Sequence, residues 1–267
     1  MSSNFREATR VERVSEDTFE AHVPDSWQQG RGAFGGLVLG TMVRAARTFE
    51  ADASRVVRTL SADIAGPVLV GPVRIRVRLL RRGQSLTNLQ LELEQEGNVL
   101  TSALCTLSAA RRVDLPSRTP TAPQGATADW REAEPLPVGP PFGPVFAQHY
   151  EYRSAGVLPF SGGGEAESVC FVRERSGEGA LDASALTALL DAPWPSLFAV
   201  VKRPYPLGTV SFSAQFLPTD EPLPADRPLF SPGRMYTLHE GYCVELRELW
   251  AGERLVALSQ QTIAVLR

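Results

Sequence analysis

Lysine is almost absent. Of 27 basic residues only Lys202 is a lysine, and the rest are arginine. A Schiff base or lysine general base therefore has one candidate, whereas guanidinium groups, always charged and suited to carboxylates and phosphates, are plentiful. Histidine is nearly as scarce. His22, His149 and His239 share no metal-ligand spacing, and no H-E-x-x-H occurs, so no metal site is expected. The three cysteines, Cys105, Cys170 and Cys243, form no C-x-x-C pair. Each lies within or beside an apolar strand-like run, which reads as buried free thiols in a reducing compartment. No G-x-S-x-G is present, which argues against a serine hydrolase of the α/β-hydrolase kind. Long apolar runs are missing too, and the first residues, MSSNFREATRVERV, show no signal-peptide core. No membrane span is expected, and the expected location is the cytoplasm. A net charge of −3 gives no general attraction to nucleic acid.

What is present is an ordinary globular composition, 43% hydrophobic and 21% charged over 267 residues, enough for two domains. Its most conspicuous local feature is Gln28-Gln29-Gly30-Arg31-Gly32-Ala33-Phe34-Gly35-Gly36, which contains a G-x-G-x-x-G. A dinucleotide site would need a buried strand before it and an acidic residue closing a second strand after the helix. The helix is predicted, from Gly36 to Phe49, with Val38, Met42, Ala45 and Phe49 at helical spacing. The preceding Val23-Pro24-Asp25-Ser26-Trp27 is a poor buried strand, and Glu50 and Asp52 end the helix and close no strand. The glycines are better read as permitting close approach of chain and helix.

From Arg58 to Ala109 the pattern has period two. Val73, Ile75 and Val77 alternate with Arg74, Arg76 and Arg78, and Leu89, Leu91 and Leu93 alternate with Gln90, Glu92 and Glu94. These predict half-buried antiparallel strands whose arginines meet glutamates on the next strand. Residues 111–141 are rich in proline and read as an extended linker. The second half then repeats the first in outline. A helix is predicted from Leu181 to about Phe198, capped by Asp182 or Ser184 and bent or ended at Pro193-Trp194-Pro195. Strands follow over Thr209–Leu217, Arg227–Leu238, Tyr242–Trp250 and Leu255–Leu266. The expectation is two similar α+β modules, residues 1–110 and 142–267, packed sheet to sheet.

At this level the chain resembles a known family. Gly32-Ala33-Phe34-Gly35-Gly36 before the first helix is similar to the glycine segment of hotdog-fold acyl-CoA thioesterases. Leu69-Val70-Gly71-Pro72-Val73 with Leu80-Arg81-Arg82-Gly83-Gln84-Ser85 is similar to their strand and following turn, and Leu255-Val256-Ala257-Leu258-Ser259-Gln260-Gln261 to their closing strand. Order and spacing fit the double-hotdog, type II acyl-CoA thioesterase branch, over most of the chain apart from the linker. The resemblance implies an α+β double hotdog in which each long antiparallel sheet wraps a central helix. It implies an acyl-CoA substrate, no cofactor, and a catalytic set of Asp191, Thr209 and Gln261. Gly35 and Gly36, with Arg81 and Arg82, are the candidates to meet coenzyme A. Ser211-Phe212 stands where these enzymes often carry an Asp-His pair. An open hotdog sheet has edges to hide, so a homo-oligomer, a dimer first, is expected.

Each of the three residues also has a plainer reading. Asp191, before Ala192-Pro193-Trp194, could simply end a helix. Thr209 shares one strand face with Ser211, Ser213 and Gln215, opposite Val210, Phe212, Ala214 and Phe216, and could be only a good strand former. Gln261 shares a face with Ala257, Ser259 and Ile263, an unusual place for an amide without a polar partner; Gln260 is the alternative if the register differs by one. The first helix offers Thr41, Arg44 and Arg47 but no carboxylate before Glu50, so the first module is expected to hold coenzyme A without catalysing. Two other functions remain open: a non-catalytic acyl-CoA or acyl-chain binding protein, and an acyl-CoA hydratase or dehydratase. The latter is disfavoured because no histidine–acid pair lies on the first helix.

Overall fold

A computed structural model describes residues 4–217, 219 and 221–266. The first module begins with a short helix α1 (Phe5–Ala8), then strands β1 (Glu12–Arg13) and β2 (Thr18–Val23). A small hairpin, β3 (Gln28–Gln29) and β4 (Gly32–Ala33), leads into helix α2 (Gly35–Phe49). Four long strands follow: β5 (Val56–Ile64), β6 (Gly71–Arg82), β7 (Leu86–Gln95) and β8 (Asn98–Ser108). The second module holds β9 (Glu134–Leu136), β10 (Tyr150–Ser154) and β11 (Glu167–Glu174), then helices α3 (Ala183–Asp191) and α4 (Leu197–Val200). It ends in β12 (Leu207–Phe216), β13 (Leu229–His239), β14 (Tyr242–Ala251) and β15 (Arg254–Val265).

All strands except the small hairpin join one antiparallel sheet in the order β1-β2-β6-β7-β8-β5-β12-β15-β14-β13-β11-β10-β9. The modules therefore meet edge to edge through β5 and β12, and not sheet to sheet as the repeat suggested. The reason is the edge problem: each module's open inner strand satisfies the other's unpaired amides and carbonyls. The sheet then terminates in strands of only two and three residues.

The sheet wraps the two helices. α2 buries residues on almost every side, from Gly36 to Ala46, because strands cover one flank and α3 the other. The helices cross antiparallel at small residues. A side chain on Gly36 would meet the Ala188 Cα, one on Gly40 would meet Ser184, and Ser184 Oγ donates to Gly40 O at 2.7 Å. One apolar cluster consequently runs through both modules. The predicted second helix is shorter than expected: Asp182 caps its start through Ala185 N, and α3 ends before Pro193. On the outer face the arginine ladder pairs with carboxylates on both neighbouring strands, Arg74 with Glu20 (3.1 Å) and Arg76 with Glu94 (3.3 Å).

The proline-rich segment also contributes to the sheet and its packing. It supplies β9 to the sheet edge, and Ala126 packs with Phe171, Phe230, Trp250 and Leu255 on the outer face. Trp130 is flanked by the guanidinium groups of Arg153 and Arg173 at 4.5 and 4.6 Å from its ring centre. Among the described residues no helix is long and apolar enough to cross a membrane.

Candidate active site at the helix crossing

The glycine segment has a local explanation. Gly30, at φ +63°, turns the β3–β4 hairpin. Phe34 N bonds back to Trp27 O at 2.9 Å, fixing the start of α2. No side chain of its own segment caps that start. The nearest polar group comes from the other module: the Asp191 carboxylate faces the Gly36 N–H, and a side chain on Gly35 would lie 2.9 Å from Asp191 Oδ2. Antiparallel crossing accounts for this, because it sets the last residue of α3 against the first turn of α2. An acid at a helix N-terminus meets the positive end of the backbone dipole and its unpaired N–H groups.

Asp191 is half-buried, and desolvation pushes its carboxyl above the ordinary range. The Arg247 guanidinium, the Gly36 N–H and the Gln261 side chain pull it back, while Glu245 adds to the rise. The net direction is upward, as a general base working near neutrality requires. The Gln261 amide favours the carboxylate, yet its Nε2 is completely buried and makes no hydrogen bond of normal distance and angle. The two groups face each other unbonded. Tyr150 and Tyr152 lie within electrostatic reach, and burial drives both phenols well above their usual value, so they stay protonated. Tyr152 donates to Ala192 O at 3.2 Å; Tyr150 OH and Trp194 Nε1 are buried without a partner among the described residues.

Thr209 sits on a different face from the one alternation predicts. Phe212 pairs with Gln261 and Ser211 with Thr262, but Thr209 pairs with Ile263 across a bulge. Opposed residues in an antiparallel ladder point the same way, and the extra residue, Val210, shifts the phase by one. Thr209 therefore shares the helix-facing side with Phe212, Gln261 and Ile263, and leaves the side of Ser211 and Ser213. Its hydroxyl makes no hydrogen bond to Asp191 or Gln261 among the described residues. Gln260 faces outward, lining a shallow groove with Ser61, Asp63, Ser211 and Ser213. Phe212 is part of the core.

The structure thus gathers Asp191, Gly35, Gly36 and Gln261, with Thr209 on the same face. It does not bring Arg81 and Arg82 to them. Both are at the far end of β6, and Arg82 bonds Glu50 at 2.9 Å beside the C-terminus of α2. α2 has 15 residues, roughly 20 Å at 1.5 Å per residue, between that point and Gly35. Arg247, Glu245, Tyr150 and Tyr152 were missed in the sequence. Their only signal was polarity on strand faces whose burial alternation alone cannot assign.

The first module carries an apolar version of the same site. β5 repeats the β12 bulge: Val57 pairs with Leu107, and past the bulge Leu60 pairs with Cys105. Val57 and Cys105 thus occupy the places of Thr209 and Gln261. Asp191 lies three residues beyond Ala188, the partner of Gly36; three beyond Gly40, the partner of Ser184, is Val43. Burial pushes the Cys105 thiol up to about 12, so it is no nucleophile. Glu50, the first acid after α2, is buried in another role, accepting from Arg82 and from Thr87 Oγ1 (2.5 Å). Glu50→Gln should destabilise the chain by about 1–3 kcal/mol in urea unfolding while leaving kcat nearly unchanged. A loss of kcat beyond tenfold in folded protein would assign catalysis to this module.

With that geometry in view, comparison with known proteins is informative. The profile of the acyl-CoA thioesterase N-terminal domain matches residues 23–108, and that of the acyl-CoA thioesterase C-terminal domain matches 118–265. A search of curated proteins finds no match. Among solved structures, a hotdog-fold protein of unknown function from Alicyclobacillus acidocaldarius is 24% identical with a TM-score of 0.87, covering 100% of this chain and 99% of its own. A candidate thioesterase II from Thermobifida fusca is 25% identical, TM-score 0.80, covering 98% and 97%. An acyl-CoA thioesterase II from Mycobacterium marinum shares the fold at 17% identity, TM-score 0.75, covering 98% of both chains. The double hotdog, two helices wrapped by one continuous antiparallel sheet, is thus common to all of them, and this chain belongs to the acyl-CoA thioesterase family, with its N-terminal and C-terminal domains in a single polypeptide.

Proposed function

We propose that this protein hydrolyses an acyl-CoA thioester to a free acid and coenzyme A. The observation that supports it best is the half-buried Asp191 carboxylate, set between two modules against the N-terminus of α2 and faced by the Gln261 amide. A water bound there gives a proton to Asp191 as its oxygen attacks the thioester carbonyl carbon. The C–S bond then breaks, and the proton passes from Asp191 to the departing thiolate. The Gly35 N–H, in the first turn of α2, stabilises the charge that develops on the carbonyl oxygen, while that of Gly36 stays with Asp191. Gln261 and Thr209 can each accept from and donate to the water, so they orient it. No covalent intermediate is needed, and the three buried cysteines, each pushed up to about 11 or 12, are unsuited to supply one.

A thiol-release assay over acyl-CoA esters of increasing chain length tests this. The purified chain should release coenzyme A from at least one of them. Gln261→Ala should lower kcat by about tenfold, less than loss of the base, because one orienting partner goes and Asp191 remains. Thiol release from no ester, together with saturable binding of acyl-CoA, would make the chain a binding protein of the same fold.

A further inference from the structure

The turn between α3 and α4 is tied down by two charged side chains that point into the core. β14 buries Cys243, Glu245, Arg247 and Leu249, with Glu245 0% and Arg247 2% exposed. Arg247 Nη1 donates to Leu190 O at 3.2 Å and to Pro193 O at 2.8 Å. These carbonyls bracket Asp191. Arg247 Nε donates to Glu245 Oε1 at 2.5 Å, and Glu245 Oε2 accepts from Ser196 N at 2.8 Å. The two side chains thus bind the turn at Leu190, Pro193 and Ser196.

Two physical points narrow the role. The cation lies at the C-terminus of α3, where unpaired carbonyls carry the negative end of the helix dipole. Stability is a poor account of the pair, since burying two charges costs about as much as their attraction returns, and apolar replacements are often no worse. The pair does something an apolar pair could not: it puts a fixed positive charge, partly balanced, beside the proposed base.

We propose that Arg247 is the positioning residue of this site: it fixes the turn that carries Asp191 and supplies the countercharge that lets the half-buried carboxylate act as a base, while Glu245 moderates that charge. This rests on reading Asp191 as the base. Every charged or titratable group near Asp191 enters the balance. Arg247 and Glu245 come from β14, Gln261 from β15 and the Gly36 N–H from α2. Tyr150 and Tyr152 come from β10, with Glu174 beside Tyr150, and Cys170 and Arg175 beside Tyr152. Of the charged side chains, Arg247 acts most strongly on Asp191, and Glu245 opposes it.

The test compares the full chain with Arg247→Gln, Arg247→Lys, Glu245→Gln and the double variant E245Q/R247Q. The readouts are the pH profile of kcat with the best acyl-CoA substrate and a carbon-13 NMR titration of the aspartate carboxyls, Asp191 being assigned with D191N. Removing the cation should move the acid limb of kcat up by roughly 1–3 pH units. Glu245→Gln should move it down, and the double variant should lie above the parent because the stronger charge is gone. Arg247→Lys should keep the limb near the parent while lowering kcat, because an ammonium cannot bond Leu190 O, Pro193 O and Glu245 with the same fork. A purely structural role would lower kcat or Tm without moving the limb in opposite directions. If R247Q fails to fold, E245Q and the double variant still decide, and limbs coinciding with the parent overturn the proposal. If the parent hydrolyses no acyl-CoA, the hydrolase reading fails on its own. The NMR titration then still shows whether Asp191 responds to Arg247, and an unmoved carboxyl overturns the coupling.

Discussion

Asp191→Asn should lower kcat by about 10²–10⁴-fold, the usual contribution of a general base, and at the same time raise Tm at neutral pH. The first effect follows from removing the base while keeping the shape and an oxygen toward the Gly36 N–H. The second follows from linkage. Burial raises the Asp191 carboxyl in the fold. A raised carboxyl binds its proton more tightly folded than unfolded, so ionising it takes stability away as pH climbs from its unfolded value, about 3.9, through its folded one. The asparagine carries no such penalty. Its gain should be complete above the folded value and vanish below about pH 4, and each kcal/mol should appear as about 2–4 °C in a chain of this size. Steady-state kinetics and scanning calorimetry from pH 4 to 8 read both. Parental kcat in folded D191N would reduce Asp191 to a cap on α2.

The two glycines that start α2 should separate when each is replaced by alanine. At Gly36 a new Cβ would stand 2.4 Å from Phe34 Cζ and 2.8 Å from the Ala188 Cα. Neither can yield cheaply. The Phe34 ring is stacked on Phe146 at 3.8 Å between centres, and Ala188 is backbone of the facing helix. Overpacking of this kind costs about 1–3 kcal/mol, more than the roughly 1 kcal/mol that alanine gains in helix propensity, and forcing the helices apart also draws the Gly36 N–H off Asp191. G36A should therefore lose several degrees of Tm and most of its activity. At Gly35 the only close neighbour among the described residues is Asp191, with Oδ2 at 2.9 Å. A side chain can swing aside where backbone cannot, so G35A should keep Tm within a degree or two. The displaced carboxylate should nonetheless cost kcat tenfold or more, since misplacement by about 1 Å can cost 10². Full activity in G35A would detach the start of α2 from the chemistry.

Much of this site was legible in the sequence because burial has a period. The apolar spacing of Val38, Met42 and Ala45 gave α2, and Ala257, Ser259, Gln261 and Ile263 on one face put an amide into the core, where it lies at 1% exposure. The glycines before α2 marked a close approach. What they approach was not legible, because Asp191 lies in the other module and reaches Gly35 only through the helix crossing. Thr209 shows a different limit. Alternation assigned it to the outer face, and one extra residue at Val210 turned it inward, a shift that only strand pairing reveals. On β14 period two itself was ambiguous. Val244, Leu246 and Trp250 made as good an inner face as Cys243, Glu245, Arg247 and Leu249, and hydrophobicity favoured the first. The charged face went inside because the carbonyls of Leu190 and Pro193 and the amide of Ser196 await it there. Local spacing therefore determined which segments are helix and strand, and the resemblance to a known family supplied the candidate catalytic residues. Tertiary structure decided which of them meet, because bulges, helix crossings and buried polar partners depend on groups far apart in the chain.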